Sequence, residues 1–345
     1  MTSTPTDTPP EPAEEVPGGR SRRPGMLRER LSDAVSQLAA GGALIAVFVY
    51  LSFASDSFLT SDNLFNVGQQ TAVTAIIAIG MTLVIITAGI DLSVGSVAAL
   101  SGVLGVKLMV ESGLPVNLAI VGGVLVGAIA GLVNGLLITA TNLAPFIATL
   151  GMMSVARGLT LILTGAVAVF GAPESFRLLG QGEVGPVPIP VIVLVVVAVL
   201  GHLVLTRTKL GRYSYAIGSN PEAARLSGIS VRRYLTAVYV IAGALTGLGG
   251  MIAASRVNSG QPNFGIGLEL DVIAAAVIGG ASLFGGQGTV VGTLIGGFLI
   301  ALIRNGSVLL NVNTFYQSVI IGVIIWLAVI FDQYRRRKLS ASGAT

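Results

Sequence analysis

Long apolar stretches separated by short polar segments dominate this chain. Each stretch approaches the roughly 20 residues that an α-helix needs to cross a hydrocarbon core of about 30 Å. The pattern predicts an all-α, polytopic membrane bundle of about ten transmembrane helices, some of them short or broken. The predicted spans are 38–54, 71–89, 94–110, 116–139, 144–165, 188–205, 234–256, 268–284, 288–304 and 315–331.

Two glycine-rich interruptions break this apolar pattern. Residues 88–97 read Ala-Gly-Ile-Asp-Leu-Ser-Val-Gly-Ser-Val, and residues 279–290 read Gly-Gly-Ala-Ser-Leu-Phe-Gly-Gly-Gln-Gly-Thr-Val. Paired interruptions at corresponding positions are typical of transporters built from two repeats, with the substrate path near the point where the repeats meet. We therefore expect broken or re-entrant segments and two repeated halves.

Glycines recur four residues apart on three of the predicted helices. Such spacing gives a helix one flat face, on which a neighbouring backbone can approach closely. We expect these faces to be helix-packing surfaces. The three sets are Gly123, Gly127, Gly131 and Gly135; Gly243 and Gly247; and Gly288, Gly292 and Gly296.

Basic residues cluster beside the spans and predict the topology. Three clusters lie at 20–30, 206–233 and 335–338, and positive charge next to spans marks the cytoplasmic side. An even number of spans places both termini on that side of the membrane. The predicted domains are a disordered cytoplasmic tail (1–37), a membrane domain (38–332) with a cytoplasmic loop (206–233), and a basic cytoplasmic tail (333–345).

Composition excludes several functional classes. Charged residues make up 10% of the chain, against about 25% in soluble domains. Cys is absent and His occurs once, so thiolate and imidazole metal sites are not expected. None of the three lysines precedes Ser or Thr, which excludes a phosphate-binding P-loop. We expect no catalytic residue, cofactor, metal or nucleic-acid partner for this chain, and any ATP–Mg chemistry must lie on a partner subunit.

Asp91 is the most informative polar residue within the apolar region. It lies in the segment 89–95, just before a helix predicted to begin near Val94. A carboxylate at membrane depth is costly unless it is paired, caps a helix or faces water. Two interpretations stay open: Asp91 or Ser93 caps the helix N-terminus, or they line a polar path between broken helix ends.

The second motif is Gly218-Ser-Asn-Pro-Glu-Ala-Ala-Arg-Leu-Ser-Gly228, in the basic loop. Asn220 is a favourable N-cap, Pro221 suits the first helical position, and Glu222 complements the helix dipole. Gly228 is a typical C-terminal stop. The motif predicts a two-turn helix, which is too short to be stable alone, so it docks either on a partner or on its own bundle.

Further polar residues are candidates for the path. Arg157 is expected to pair with an acid or reach the interface. Glu269 and Asp271 open a predicted helix, where capping is favoured over substrate contact. Uncharged groups can hydrogen-bond sugar hydroxyls or each other. The candidate path residues are Asp91, Ser93, Asn134, Asn142, Phe146, Asp271 and Gln287.

Several motifs together resemble a known family. They are the run from Asp91, residues 145–158, 211–218, the Glu222 helix, 259–263, and 269–271 with the following glycine-rich stretch. Their order over about residues 40 to 332 resembles the ribose-type sugar permeases of ABC importers, in the branched-chain amino acid/ribose permease superfamily. The resemblance implies separate cytoplasmic ATPase subunits, an extracytoplasmic sugar-binding protein and a second permease copy, most simply a homodimer.

The resemblance also implies an ATPase-coupling role for the second motif. The family's Glu-Ala-Ala-x-x-x-Gly pattern falls on this motif, but the Ile-x-Leu-Pro ending of the broader pattern is missing. Nearby arginines pair with acids on the ATPase or hold lipid head groups. The implied coupling residues are Asn220, Pro221, Glu222, Ala223, Ala224, Arg225 and Gly228.

Other functions remain open at this stage. An ion-gradient-driven secondary transporter would require titratable groups in the spans, for which Asp91 is the main candidate. A membrane-embedded enzyme would require a cluster of reactive side chains, and the chain has few such residues. Within the family, branched-chain amino acids or nucleosides are alternative substrates.

Overall fold

The computed structural model describes the backbone of residues 25–341 and the side chains of residues 38–313 and of most residues from 315 to 333. The first part contains α1 (Gly25–Ala54), α2 (Ser61–Ile86), α3 (Val94–Val110), α4 (Val116–Thr141), α5 (Pro145–Thr164), a 3-10 turn (Glu174–Phe176) and α6 (Arg177–Gln181). An antiparallel hairpin follows, with strands β1 (Glu183–Val184) and β2 (Val187–Pro188). The second part contains α7 (Ile189–Arg207), α8 (Lys209–Ser219), α9 (Pro221–Leu226), α10 (Val231–Arg256), α11 (Leu268–Ile278), α12 (Val290–Leu309) and α13 (Thr314–Ala341).

The described chain is the predicted all-α membrane bundle. Six of its helices are long and apolar enough to cross a membrane: α2, α4, α5, α7, α10 and α12. Shorter apolar helices cover Leu38–Ala54, Val94–Val110 and Phe315–Leu327. The multi-pass class is therefore confirmed, whereas the number of ten spans stays a prediction.

The two terminal helices extend beyond their predicted spans. Helix α1 begins at Gly25, so the last part of the predicted disordered segment 1–37 is helical, and residues 1–24 lie outside the described residues. Residues 26–40 contain neither Pro nor Gly and are rich in helix-forming side chains, which favours this extension. Helix α13 continues into the predicted tail 333–345 as far as Ala341.

Helix α2 lies at the centre of the bundle. In its most apolar 18-residue window 83% of the residues are buried, against 22% in each of α5 and α7. The sequence of α2 is apolar on all sides near its C-terminal end, as expected for a helix surrounded by others. The apolar outer faces of α5 and α7 are consequently suited to lipid.

Helices α4 and α10 share the most extensive contact among the described helices. A Cβ at Gly127 would overlap the carbonyl oxygen of Gly243, and one at Gly131 would overlap that of Tyr239. The predicted packing role of these glycine faces is confirmed. On α12, by contrast, Gly288 precedes the helix, which begins at Val290.

The segment between α10 and α11 enters the bundle instead of crossing its surface. Gly260 lies against Val103 of α3, and Gly265 lies against Gly95, two turns further along the same helix. Helix α11 begins only at Leu268, directly after this descent. A discontinuous helix that starts within the bundle is the kind of broken element predicted from sequence.

Helix α11 ends at Ile278, so it is shorter than the predicted span 268–284 and stops where the glycine-rich interruption was predicted. Gly279 packs against the backbone of Gly292, and Gly280 has a φ of 94°. A left-handed glycine stops a right-handed helix. Residues 279–289 therefore form a non-helical break that connects α11 to α12.

Candidate functional site

The first break, residues 87–93, is organised by a buried carboxylate. The Asp91 carboxylate accepts hydrogen bonds from the backbone N–H and the hydroxyl of Ser93, at 2.8 and 2.5 Å. Asp91 and Ser93 are both buried. The Ser93 side chain does not cap α3; instead Asp91 holds the backbone amide just ahead of the helix. Neither side chain therefore bonds an N–H group within α3, and Asp91 orders the turn that precedes the helix instead of capping it.

Two further buried side chains adjoin this carboxylate. Asn134 of α4 donates through Nδ2 to the Ser93 hydroxyl at 3.1 Å. Tyr239 of α10 reaches the same break, since its hydroxyl would lie 2.6 Å from a Cβ at Gly89. Within the described residues, neither the Asn134 Oδ1 nor the Tyr239 hydroxyl has a hydrogen-bond partner. The structure therefore gathers three predicted path residues, Asp91, Ser93 and Asn134, and adds Tyr239.

The second break lies directly against the first. The Gly286 N–H donates to the Ile86 carbonyl at 2.8 Å, at the C-terminal end of α2. Gly285 approaches Ala88, which has a positive φ of 59°. Gln287 contributes its backbone carbonyl to the fold of this break by accepting from the Ser282 N–H at 3.2 Å. The two interruptions therefore meet, whereas the repetition of the two halves stays a prediction.

Helix α8 lies on this meeting point. A Cβ at Gly218 would overlap the Ile86 carbonyl oxygen and lie 2.7 Å from the Gly286 nitrogen. The Tyr215 hydroxyl donates to the Gly288 carbonyl at 2.6 Å. We call Ile86, Gly218 and Gly286 the junction. At the junction, the backbone of α8 lies directly against the end of α2, where the first break begins, and against the backbone of the second break.

Helix α9 follows α8 after a single residue. The Asn220 side chain accepts from the Ala223 N–H at 2.9 Å, so the predicted N-cap is present. At the other end the Ile229 N–H donates to the Ala224 carbonyl at 3.1 Å, and Gly228 has a φ of 81°. The predicted two-turn helix is therefore confirmed. Ala224 is buried against the bundle, so it faces inward, away from any partner.

The outer face of α9 is exposed and mixes charge with apolar surface. Glu222 and Arg225 form an ion pair of 2.7 Å, and hydrogen bonding to Glu222 raises the pKa of the Arg225 guanidinium above its ordinary value. Leu226 is 80% exposed. It follows Glu222 by four positions and so shares its face. Leu226 was not among the predicted coupling residues, although its position four residues after Glu222 was sufficient to place it on the same face.

At the far end of the bundle Asp271 forms an ion pair with Arg304. The carboxylate and guanidinium approach to 2.7 Å. Helix α11 begins after Gly267, which has a φ of 80° and offers no side-chain cap. Asp271 and Glu269 lie in the first turn of α11, as expected for acids that complement the helix dipole. Asp271 in addition pairs with Arg304 of α12.

Arg157 supports the descending segment between α10 and α11. Its guanidinium donates to the Pro262 and Phe264 carbonyls, at 2.6 and 2.9 Å. Among the described residues Arg157 forms no close ion pair, so the expected salt bridge is not formed, whereas the expected interfacial position stays a prediction. Non-helical backbone inside the bundle leaves carbonyl groups that need donors. Arg157 satisfies two of them.

Two adjoining cavities, of about 220 and 390 Å³, lie beside this segment. They share Ala253, Arg256 and Phe264 in their walls. Sequence reasoning missed Arg256 and Phe264. Arg256 could have been noticed in the sequence, because it ends a predicted span on the side opposite the basic loop. Positive charge is usually less frequent on that side of a membrane protein.

The remaining path candidates lie apart from these cavities. Asn142 is the left-handed C-cap of α4, with a φ of 54°, and Phe146 lies in the first turn of α5; both are exposed. Asn tolerates this backbone conformation, which accounts for its position. The seven predicted path residues are thus distributed between the two breaks, the far-end cavity and the connection of α4 with α5.

Among the described residues, no three His, Asp or Glu side chains converge in a way that could hold a metal ion. The polar side chains of the first break form hydrogen bonds with one another and with the backbone. Hydrogen bonding is also the interaction that they can make with a solute.

Core helices that break against one another inside a multi-pass bundle are typical of membrane transport proteins. Residues 63–329 match the family described as branched-chain amino acid transport system / permease component. The chain belongs to this family of permease components.

The chain is also similar to individual relatives over most of its length. It is 43% identical over 300 residues to the ribose import permease protein of Escherichia coli (strain K12), covering 85% of this chain and 92% of that protein. It is 46% identical over 292 residues to the ribose import permease protein of Bacillus subtilis (strain 168), covering 84% and 90%. It is 40% identical over 289 residues to the D-allose transport system permease protein of Escherichia coli (strain K12), covering 84% and 89%. No solved structure matches the chain.

Proposed function

We propose that this chain is the permease subunit of a binding-protein-dependent ABC importer that moves a ribose-like monosaccharide across the membrane by alternating access. Similarity to ribose and D-allose permeases supports the substrate class. The structural observation that carries the proposal is the exposed helix α9, which connects through α8 to both breaks at the junction.

The sidedness follows from the basic segments. We place α8 and α9 in the cytoplasm, because their loop holds a basic cluster. Helix α10 then leads outward. Its 26 residues span about 39 Å at 1.5 Å per residue, so Arg256 and the cavities lie on the outer half. If α11 and its flanking segments count as one crossing, ten crossings leave both termini in the cytoplasm of a bacterial cell.

Four partners belong to this proposal. An ATPase docks on α9, chiefly through Glu222, Arg225 and Leu226, while Asn220, Pro221, Ala223, Ala224 and Gly228 shape and seat the helix. A sugar-binding protein delivers substrate to the outer end, formed by α6, the 3-10 turn and the hairpin. A second copy completes the pore as a homodimer. Lipid covers α5 and α7, whose outer faces are apolar.

The proposed mechanism uses the junction as a transmission point. Closure of the ATPases on ATP displaces α9, and α8 passes this displacement to Ile86 and Gly286. The breaks then shift relative to each other, closing the inner side while the outer side opens. Asp91, Ser93 and Asn134 line the inner part of the path, Gln287 lies on the junction, Asp271 belongs to the outer part, and Asn142 and Phe146 flank the inner mouth.

Charge reversal on α9 tests the docking step. Glu222→Lys and Leu226→Asp should each abolish co-purification of the ATPase and lower ATP-driven uptake about tenfold or more, as expected for a central interface residue. Glu174→Lys is a matched control, since Glu174 is also exposed and faces an arginine three residues on. It should leave ATPase binding unchanged.

Two results would contradict the proposal. Normal ATPase binding and uptake in both α9 variants would remove the docking assignment. Sugar uptake into vesicles that hold the permease alone, driven by a proton or sodium gradient, would instead identify a secondary transporter.

A further inference from the structure

We propose that the two cavities beside the α10–α11 segment form one binding station for a neutral polyhydroxylated solute, with Arg256 as its principal hydrogen-bond donor and Phe264 as its apolar wall. We call this space the outer cavity. The inference deepens the proposed function and rests on it, because it assigns the sugar a contact site within the permease itself.

Arg256 is the first observation behind this assignment. Its guanidinium is half-buried and lines both cavities. Among the described residues no acid pairs with it and no side-chain hydrogen bond uses it, although its backbone carbonyl accepts from Gln181. Arg256 is the last residue of α10, and its guanidinium donors are available to hydrogen-bond a solute in the cavity.

The neighbouring arginines show that Arg256 differs from residues with a structural task. Arg157 is engaged by two backbone carbonyls. Arg304 is engaged by the Asp271 carboxylate. The guanidinium of Arg256 is therefore available for a solute, whereas those of Arg157 and Arg304 hold the surrounding protein in place.

The remaining polar groups define the chemical class of the solute. The walls combine hydroxyl and amide groups, which donate and accept hydrogen bonds, as sugar hydroxyls do. The Asp271 carboxylate is already paired with Arg304, so the ammonium of an amino acid would find no free acid among the described residues of these walls. The hydroxyl and amide groups outnumber Arg256, the one unpaired cation among the described wall residues, and this lining suits a neutral polyol. The hydroxyl and amide residues are Gln70, Thr74, Ser259, Gln261 and Asn263.

The size and position of the outer cavity agree with a binding site for a small molecule. The larger cavity, about 390 Å³, lies in the range of roughly 300–1,000 Å³ that is usual for ligand sites. Its aromatic wall, Phe264, belongs to the segment that descends along α3 to Gly95. Non-helical backbone at membrane depth is typical of transporter sites, where it lines the substrate cavity.

The test uses the full-length permease in lipid nanodiscs and D-ribose as the probe. Saturation-transfer NMR should detect ribose bound to the wild type. Arg256→Gln should weaken binding about tenfold, because a hydrogen bond to a charged donor is lost, and Phe264→Leu should weaken it several-fold. Lys107→Gln, which changes a cation outside the cavity walls that is already paired with Glu111, should have no effect. Phe264→Leu and Asn263→Ala decide the outcome if Arg256→Gln fails to fold.

Competition identifies the class of ligand. Inorganic phosphate and L-leucine should not displace ribose from the wild type. Displacement by phosphate would identify an anion site, displacement by leucine an amino-acid site, and either result would overturn the inference. Ribose binding that is absent from the wild type, or unchanged in the cavity variants, would overturn it as well.

A parallel measurement separates this inference from the proposed function. Wild-type permease is reconstituted with its ATPase and binding protein, and ATP-driven ribose uptake is followed. Uptake by the wild type together with unchanged uptake and binding in Arg256→Gln would reject the outer cavity alone. Arg256-dependent ribose binding without ATP-driven uptake would reject the proposed function and leave the cavity assignment standing.

Discussion

The Gly286 amide donates a hydrogen bond of 2.8 Å to the carbonyl of Ile86, and this contact joins the two interrupted segments of the bundle. Helix α2 ends at Ile86, so its last carbonyls lack partners within the helix. One of them is satisfied by the other break instead of by water. Movement of either break therefore disturbs the other.

Gly218 allows α8 to approach this contact. Gly218→Ala should destabilise the protein by about 1–3 kcal/mol, as overpacking against backbone does, and should lower uptake because the junction is displaced. Thermal unfolding in detergent and ATP-driven uptake measure the two effects. Gly158→Ala is the control, since a Cβ there meets nothing within 4 Å. Equal behaviour of the two variants would show that the close approach of α8 has no consequence.

Tyr215, which is half-buried, and Tyr239, which is buried, should respond oppositely to removal of the hydroxyl. Tyr215→Phe loses a 2.6 Å hydrogen bond to Gly288 and should cost about 1 kcal/mol. Tyr239→Phe removes a buried hydroxyl without a partner among the described residues, so stability should be unchanged or higher. Thermal unfolding of both variants checks the contrast. A large loss of stability in Tyr239→Phe would mean that its hydroxyl is engaged.

Substitutions at Asp91 show whether its carboxylate has a structural role or couples transport to an ion. Asp91→Asn keeps an oxygen that can accept from the Ser93 amide, so ATP-driven uptake should stay within about twofold, as for a neutral hydrogen bond replacing a charged one. Asp91→Ala leaves that amide unsatisfied and should destabilise by about 1–3 kcal/mol. Loss of all uptake in a stably folded Asp91→Asn protein would point to a titrating carboxylate.

The Asp271–Arg304 pair should show strong coupling in a double-mutant cycle. Arg304→Gln leaves a largely buried carboxylate without its partner and should cost about 3 kcal/mol. The double variant Asp271→Asn/Arg304→Gln should recover most of this loss, because no unpaired charge remains. Chemical unfolding of the four proteins gives the coupling energy. Additive effects would show that the two side chains act independently.

Local signals in the sequence predicted the elements that short-range chemistry controls. The Asn220 cap and the Gly228 stop predicted α9, because both depend only on neighbouring backbone groups. The glycine spacing on α4 and α10 predicted a packing face, since the period of the helix fixes which residues share a side.

Features that depend on distant contacts were not predictable from the chain alone. The glycines predicted the break after Ile278, but they did not predict that Gly279 packs against the backbone of Gly292. The partner groups of Arg157 are carbonyls of a segment more than 100 residues away. Arg256 is distinguished by the absence of a partner among the described residues, which only a three-dimensional structure reveals.

The most direct measurement is the sidedness of α9. The chain contains no Cys, and Ala223 is exposed, so Ala223→Cys provides a unique thiol. An impermeant maleimide should fail to label it in intact cells and should label it in inverted vesicles, with protection by bound ATPase. Ser112→Cys, in the connection of α3 with α4, should show the reverse. Labelling of Ala223→Cys from outside intact cells would contradict the cytoplasmic position of α9 and, with it, the drive by an ATPase.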